Sequence, residues 1–365
     1  MNASIALLVW ALCACPAAAG EPARAALRDA NGQPTPRTVD PAAMWVDGAS
    51  WVVARPGPNE PQALGRLAAR AGAWIDAHPA DPAVQPNAGA QVGITPAQLR
   101  ATLAAVVQIT EEDARTGANR LADPAFIAAH FVWMSLQPHR ARGLAPPTGA
   151  PEALRLTRYL VTQREGRTHP DGAFRHALYA DPGEAVRMAS TRAEVMAGAW
   201  DRAGARPLVY LTEAGVYDAL LQGTVAVRTP DGATSLYNVD RPNGHAYRPT
   251  VRDPAQQLRY WSFRPVHGAL GYGVADDKIE LEPMVSVAGD VMNLGLGALL
   301  AIETPAGPRL VILADTGGAF VENIAQLDLF GGSFPSHAAL YAATAAVPQR
   351  TAVALLMWRG TTSGP

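Results

Sequence analysis

The sequence predicts a mainly β protein preceded by an α-helical N-terminal region, and three observations carry that reading. From about residue 154, apolar residues recur with a period near two in short runs broken by turn residues, the pattern of half-buried strands. Upstream, between about 55 and 140, the period is helical and start signals stand where helices need them. The 33 Gly and 31 Pro are scattered along the chain, so many turns join short elements and a pure helical bundle is excluded. With 365 residues, 48% of them hydrophobic and 17% charged, the chain is long enough for two or three globular domains.

Residues 5–14 are an apolar run of signal-peptide length, too short to span a membrane, and Ala17, Ala18, Ala19 and Gly20 offer an A-x-A-like cleavage site. Residues 1–20 are expected to be a signal peptide and the protein to be exported, although no Lys or Arg precedes the run. Leu12-Cys13-Ala14-Cys15 has lipobox character, which makes Cys15 a candidate lipid anchor. Two small apolar residues inside a signal core explain the same cysteines equally well. No later segment reaches transmembrane length without charges.

Residues 21–150 read as an irregular lead-in followed by helices. Thr95-Pro96-Ala97-Gln98 combines a capping box with Pro at the first helical position, and Leu99, Leu103, Val106 and Val107 continue the apolar stripe to a stop at Gly117. Asp123-Pro124 repeats the start signal for a helix over 126–136. A Pro/Gly stretch at 143–151 sets a boundary. Beyond it, Thr224-Val-Ala-Val-Arg228, the turn at Pro230-Asp231-Gly232 and Ser235-Leu-Tyr-Asn-Val239 form a hairpin signal. Thr191-x-x-Glu194 is a second capping box, opening a short helix to about Trp200. After Trp261 nearly every segment reads as strand and turn, most clearly 299–303, 309–314 and 352–358, so the latter two-thirds resemble one or two small β-barrels.

Formal net charge is −2 and Lys278 is the only lysine, which is not a nucleic-acid-binding balance. Both cysteines, Cys13 and Cys15, fall in the first fifteen residues, which excludes disulfides, thiolate zinc sites and cysteine nucleophiles downstream. The eight histidines lack metal-ligand spacing, so neither a metal nor a cofactor is expected. Gly331-Gly332-Ser333-Phe334-Pro335 ends in Pro and lacks the strand-turn-helix context of a nucleophile elbow. Gly271-Tyr272-Gly273 and Gly295-Leu296-Gly297 lack the third glycine of a dinucleotide loop and read as turn glycines. Trp261 offers a flat face to a sugar ring, though core packing accounts for most of the eight Trp.

Two aspartates stand out at strand ends in glycine-rich turns. Asp315 follows the apolar run 310–314 and precedes Thr316-Gly317-Gly318, and Asp328 is flanked by Leu327 and Leu329 before Gly331-Gly332. A carboxyl in apolar surroundings has its charged form disfavoured, which suits a general acid working near neutral pH. Asx capping of turns explains both residues as well.

These residues resemble the murein lytic transglycosylase A family, MltA, over most of 155–358. The three aspartates of its C-terminal 3D domain are matched by Asp290 in Ser286-Val-Ala-Gly-Asp290, by Asp315 and by Asp328. Upstream, Leu156-Thr157-Arg158-Tyr159, Leu178-Tyr179-Ala180-Asp181-Pro182, Thr191-Arg-Ala-Glu194 with Ala197-Gly198, Gln222-Gly223 and Asn243-Gly-His-Ala-Tyr-Arg248 are similar to further motifs in the family's order. The resemblance implies a double-psi β-barrel catalytic domain, here 151–165 and 264–365, with a second β domain at 166–263 inserted into it and a glycan groove between them. It implies a periplasmic protein, outer-membrane anchored if Cys15 is lipidated, that cleaves the MurNAc-GlcNAc β-1,4 bond of peptidoglycan glycan strands without water. In that family role Asp328 is the acid/base, Asp315 its negatively charged partner and Asp290 a turn residue, while Thr157, Tyr159 and Gln222 line the groove.

Departures from the family pattern bear on that groove. T-G-Y-Y reads Thr157-Arg158-Tyr159-Leu160, Q-G-S-G reads Gln222-Gly223-Thr224-Val225, and G-A-I-K-G reads Gly318-Ala319-Phe320-Val321-Glu322. The connection after Arg248 is cut to about ten residues, and the helical region at about 55–140 lies outside the resemblance. Three readings stay open at this level: a lytic transglycosylase, a hydrolase on the same scaffold in which Asp315 or another carboxylate activates water, and a glycan-binding protein without catalysis.

Overall fold

The start signals upstream of residue 120 nucleate two long helices. The computed structural model describes residues 45–47, 60–85, 94–138, 152–248, 251–274, 277–320 and 323–360, so the expectations for 1–20, Cys15 included, lie outside the described residues. Helix α1 (Pro61–Ala77) buries Leu64, Leu67, Ala68, Ala71, Trp74 and Ile75, a stripe at spacings of three and four. Helix α2 (Pro96–Thr116) is capped by the Thr95 hydroxyl, which accepts from the Gln98 N–H at 3.1 Å, and it ends at Gly117 with φ 75°. The Gln98 side chain donates to the Trp358 carbonyl instead of returning to Thr95, so the cap is one-sided. Gly65 lets the two helices approach, since a Cβ there would lie 2.2 Å from Thr110 Oγ1.

Helix α3 (Pro124–His130) is shorter than expected, and β2 (Phe131–Leu136) follows it at once. Phe131, Trp133 and Ser135 are buried while Val132 and Met134 are half-buried, an alternation that suits strand pairing. The expected helix over 126–136 is therefore overturned in its second half. Strand β1 (Trp45–Asp47) pairs with β2.

Beyond the boundary the elements run β3 (Leu154–Glu165), β4 (His176–Tyr179), α4 (Glu184–Met188), α5 (Arg192–Met196), α6 (Ala199–Arg202), β5 (Pro207–Leu211), α7 (Glu213–Gln222), β6 (Thr224–Arg228), β7 (Thr234–Pro242) and β8 (Trp261–Val266). They continue as β9 (Leu270–Val274), β10 (Asp277–Glu280), β11 (Ser286–Ala288), α8 (Val291–Leu294), β12 (Leu299–Ile302), β13 (Arg309–Asp315), β14 (Gln326–Phe334), α9 (His337–Ala343), β15 (Arg350–Thr351) and β16 (Val353–Trp358). The capping box at Thr191 forms in full, but Gly198 at φ 84° splits the helix expected to reach Trp200 into α5 and α6. Helices α4, α7, α8 and α9 were not expected. Helices α7 and α9 carry ordinary caps, Thr212 accepting from Gly215 and Ser336 from Ala339.

Twelve strands form one mixed sheet in the order β1-β2-β16-β12-β13-β11-β14-β3-β6-β7-β8, with β15 also on β3. Parallel pairing joins β11 to β13, β14 to β3 and β3 to β6. Among the described residues no pairing joins β1 to β8, so the recorded hydrogen bonds do not close a barrel. Helix and strand take about equal shares, which corrects the mainly β expectation to a mixed α/β architecture.

Two hydrophobic clusters form. One gathers residues of α1, α2, α3, β1, β2, β3, β10 to β14 and β16, and the other gathers residues of β4 to β8 with α5, α6 and α7. Both long helices are part of the first. Ile75 and Leu103 press on Gly297, where a Cβ would lie 2.7 Å from Ile75 Cδ1, and Arg66 clamps Glu282 with two hydrogen bonds of 2.8 Å.

Candidate active site

Four neighbouring strands place the residues singled out from the sequence. Ala288 of β11 is in register with Asp315 of β13 on one side and with Asp328 of β14 on the other, and Asp328 is in register with Thr157 of β3. Residues opposite one another in a sheet project to the same face, so Asp315, Ala288, Asp328 and Thr157 form one lateral row. A register shift between Val287 and Ala288 brings Asp315 into that row. Met284, just before β11, adopts a left-handed backbone with φ 64°, and its N–H donates to the Phe330 carbonyl at 2.7 Å, tying the start of β11 to β14.

Asp328 is wholly enclosed at 0% exposure and Asp315 is 3% exposed. The Asp315 carboxylate accepts the Tyr159 hydroxyl at 2.9 Å and the Thr316 N–H at 2.8 Å. Burial pushes its carboxyl up from 3.8 to about 7, against the pull of those two donors and of the Lys278 ammonium. The expectation of a standing negative charge at Asp315 is thereby narrowed: near pH 7 the group is half protonated. Burial, with Asp315 and then Asp328 nearby, holds the Tyr159 hydroxyl well above its ordinary value, so it stays a proton donor. Its ring packs on Phe330 with centroids 5.2 Å apart.

Thr157 donates to the Leu327 carbonyl at 3.3 Å and accepts from the Gln326 amide at 3.1 Å. Gln222, the last residue of α7, accepts from the Leu160 N–H at 3.4 Å, so it touches β3 one residue beyond Tyr159. Asp290 caps α8, accepting from the Asn293 N–H at 3.2 Å and from its side-chain amide at 2.7 Å. Asn243 is structural in the same sense, bonding Ser190 and Leu258 carbonyls and the Tyr260 N–H. Trp261 is buried, with the Arg259 guanidinium 4.8 Å from its ring centroid, so it offers no free face to a sugar.

Two smaller expectations change. A strand and a helix do flank this segment, but Ser333 lies within β14, bonded to Gln163, and not at the turn between them. Gly271 and Gly273 lie in β9, and Gly271 is where a Cβ would meet the Ala314 carbonyl at 2.6 Å and Asp315 Cβ at 3.2 Å. One charged residue that bears on Asp315 was missed. Lys278 of β10 donates to Asn238 Oδ1 at 2.7 Å and to the Val239 carbonyl at 2.8 Å, and its one visible signal was being the sole lysine. A cavity of about 380 Å³ opens in the second cluster beside His176, Tyr179, Met196, Asp201 and Tyr260, and none of the six residues named from the sequence lines it. Among the described residues no group of three His, Cys, Asp or Glu is placed to hold a metal ion.

No family model matches the chain, and no curated protein matches it. Solved structures do. A membrane-bound lytic murein transglycosylase from Agrobacterium tumefaciens superposes with a TM-score of 0.53 at 19% identity, covering 73% of this chain and 85% of that one. Escherichia coli MltA with bound chitohexaose superposes with a TM-score of 0.51 at 21% identity, covering 71% and 84%. The chain has the MltA fold. The resemblance read from the motifs thus holds for the fold, at 19–21% identity over the matched residues.

Within the MltA fold, the departures can be placed. Arg158 lies between Thr157 and Tyr159, so alternation sends it to the opposite face, where it bonds the Val347 carbonyl and covers the Tyr341 ring at 4.8 Å. The row of aspartates is not obstructed by it. Thr224 accepts from Asn238 at 2.8 Å, and Phe320 is buried in the first cluster. Val321 and Glu322 lie outside the described residues.

Proposed function

We propose that the protein is a lytic transglycosylase that cleaves the MurNAc-GlcNAc β-1,4 bond of peptidoglycan and leaves 1,6-anhydro-MurNAc ends. The observation that carries this is the row Asp315–Ala288–Asp328–Thr157, with an enclosed carboxyl at Asp328 and a second, near-neutral carboxyl beside it. The MltA fold and its E. coli representative with bound chitohexaose support a glycan as the ligand.

Enclosure favours the protonated form of a carboxyl, the form that a general acid needs. Asp328 donates its proton to the glycosidic oxygen as the bond to the muramyl anomeric carbon breaks. The resulting carboxylate then takes the proton of the muramyl C6 hydroxyl, whose oxygen forms the new bond to the anomeric carbon. The acid is regenerated and no water is consumed, so one catalytic carboxyl suffices where most glycosidases use two. Asp315 biases the charge of Asp328, Tyr159 holds Asp315, and Thr157 and Gln222 line the glycan path.

We read β3 and β9 to β16 as a double-psi barrel domain and 166–263 as the inserted domain. The separate hydrophobic clusters and the parallel pairs inside the sheet support that division. Export through residues 1–20, with Cys15 as a lipid anchor in the outer membrane, completes the reading. No helix among the described residues is long and apolar enough to cross a membrane.

Mass spectrometry of muropeptides released from purified sacculi, run beside Asp328→Asn, tests it. Products lighter by one water than hydrolytic ones, lost with the variant by about 10²- to 10⁴-fold, are expected. Full activity in the variant would sink the assignment of Asp328. One observation favours a second reading: a carboxyl near 7 is suited to activate water, so products with ordinary reducing ends would make Asp315 a base and the protein a hydrolase. Binding to sacculi without release would make it a glycan-binding protein.

A further inference from the structure

We infer that Lys278, the single lysine of the chain, is a positioning residue for Asp315 and links it through Asn238 to the Gln222-Gly223-Thr224 turn. This inference rests on the functional reading above for its meaning, but not for its test.

The geometry is a chain of polar contacts between the two hydrophobic clusters, part-buried at Lys278 and fully buried from Asn238 onward. Lys278 sits on β10, opposite Gly273 of β9, beside Ile279 and near Leu281 of the first cluster. Two residues earlier on β9, Gly271 packs against Asp315 so closely that a Cβ would lie 3.2 Å from Asp315 Cβ. Lys278 therefore emerges where β9 crosses the end of β13. Its Nζ reaches into the other cluster, donating to the carbonyl of Val239 and to Oδ1 of Asn238 on β7. Asn238 is fully buried, and its amide donates to the Gly223 carbonyl at 3.0 Å and to Thr224 Oγ1 at 2.8 Å. Gln222 precedes that turn and bonds β3 beside Tyr159, which in turn bonds Asp315.

A buried ammonium is costly unless it is paired, and two neutral acceptors leave most of its charge to be balanced by a carboxylate. The charged groups that bear on it are Asp315 on β13, Asp240 on β7 and Arg264 on β8, the first two favouring its charge and the last opposing it. Asp315 in turn faces Tyr159 and the Thr316 N–H besides Lys278. Burial lowers the ammonium from 10.5 to about 8 while Asp315 holds it up, and Lys278 holds Asp315 down. Charge on one residue thus favours charge on the other. An ionised Asp315 is what the glycosidic acid needs beside it, and the link to Asn238 keeps the glycan-facing turn in step with that carboxylate.

Because the chain has one lysine, lysine labelled with carbon-13 at Cε gives a single side-chain resonance, and its pH titration is read without any activity assay. The expected midpoint in the wild-type protein is near 8, and Asp315→Asn lowers it further by about one pH unit. A midpoint at the ordinary 10.5, or one that Asp315→Asn leaves in place, overturns the proposal. In muropeptide release, Lys278→Met is expected to move the acid limb to higher pH and Lys278→Arg to restore it. Since the wild-type titration needs no variant and no substrate, an absence of released muropeptides would defeat the functional reading and leave the coupling to be judged by the resonance alone.

Discussion

Asp315 and Asp328 flank the same residue, Ala288, from opposite strands of one sheet. Strands lie about 4.8 Å apart, so the two backbones are separated by roughly 10 Å. Like charges repel, so charge on one of two neighbouring carboxyls favours the protonated form of the other. In the proposed mechanism this placement lets ionisation of Asp315 bias Asp328 while each carboxyl keeps its own strand and surroundings.

The raised value at Asp315 has a consequence for stability. A carboxyl held at about 7 in the fold and near 3.8 in the unfolded chain binds its proton more tightly when folded. Its contribution is fully present below about pH 4 and is lost as pH rises through about 7. Wild type should therefore lose on the order of 4 kcal/mol relative to Asp315→Asn between pH 4 and pH 8. Denaturant unfolding at both pH values measures it, and parallel curves for the two proteins would refute it.

Tyr159→Phe removes the hydroxyl that Asp315 accepts. Loss of a donor to the ionised form raises the Asp315 value above about 7 and leaves a buried acceptor short of a partner, at a cost of about 1–3 kcal/mol. The acid limb of muropeptide release should move to higher pH in a protein that still folds. An unchanged pH profile would show that Tyr159 does not govern Asp315.

Gly271→Ala should disturb the site through packing. The new methyl meets the Ala314 carbonyl and Leu281 Cδ2, both at 2.6 Å, and forces β9 off the end of β13. A loss of about 1–3 kcal/mol is expected, with reduced activity. Gly72→Ala on α1 meets nothing within 4 Å and should stabilise by up to ~1 kcal/mol, a control for the general effect of removing glycine. Equal melting points for the two variants would contradict the packing account.

Leu67→Ala tests whether the N-terminal helices belong to the body that carries the site. Leu67 is fully buried in the cluster shared with β13 and β14. Truncation should cost about 2–5 kcal/mol and lower the melting of the whole first cluster. A separate, earlier transition of the helices with the rest unaffected would show that they fold independently.

Local physics was legible where a signal sits within a few residues of what it specifies. The Thr95 cap, the Gly117 stop, the full capping box at Thr191 and the hairpin of β6 and β7 follow from backbone chemistry at their own positions. The second half of the 126–136 segment was misread because its apolar residues suit either period, and pairing with β16 decided for strand. Helix α7 was missed although Thr212 and Glu213 are ordinary helix-start residues, since strand-like runs surround it.

For the site, the sequence by itself singled out Asp315 at the end of an apolar run and Asp328 between two leucines; Asp315 does end β13, whereas Asp328 lies inside β14, with Gly331 and Gly332 in the same strand and not in a turn. Only the tertiary structure decided that they share a row. That row depends on β11 inserting between β13 and β14 and on a one-residue register shift at Ala288, and register is set by pairing with distant strands. The same holds for Asp315 near neutrality and for Lys278 beside it, because desolvation and charge proximity come from side chains that meet only when β9, β7 and β3 are packed around the end of β13.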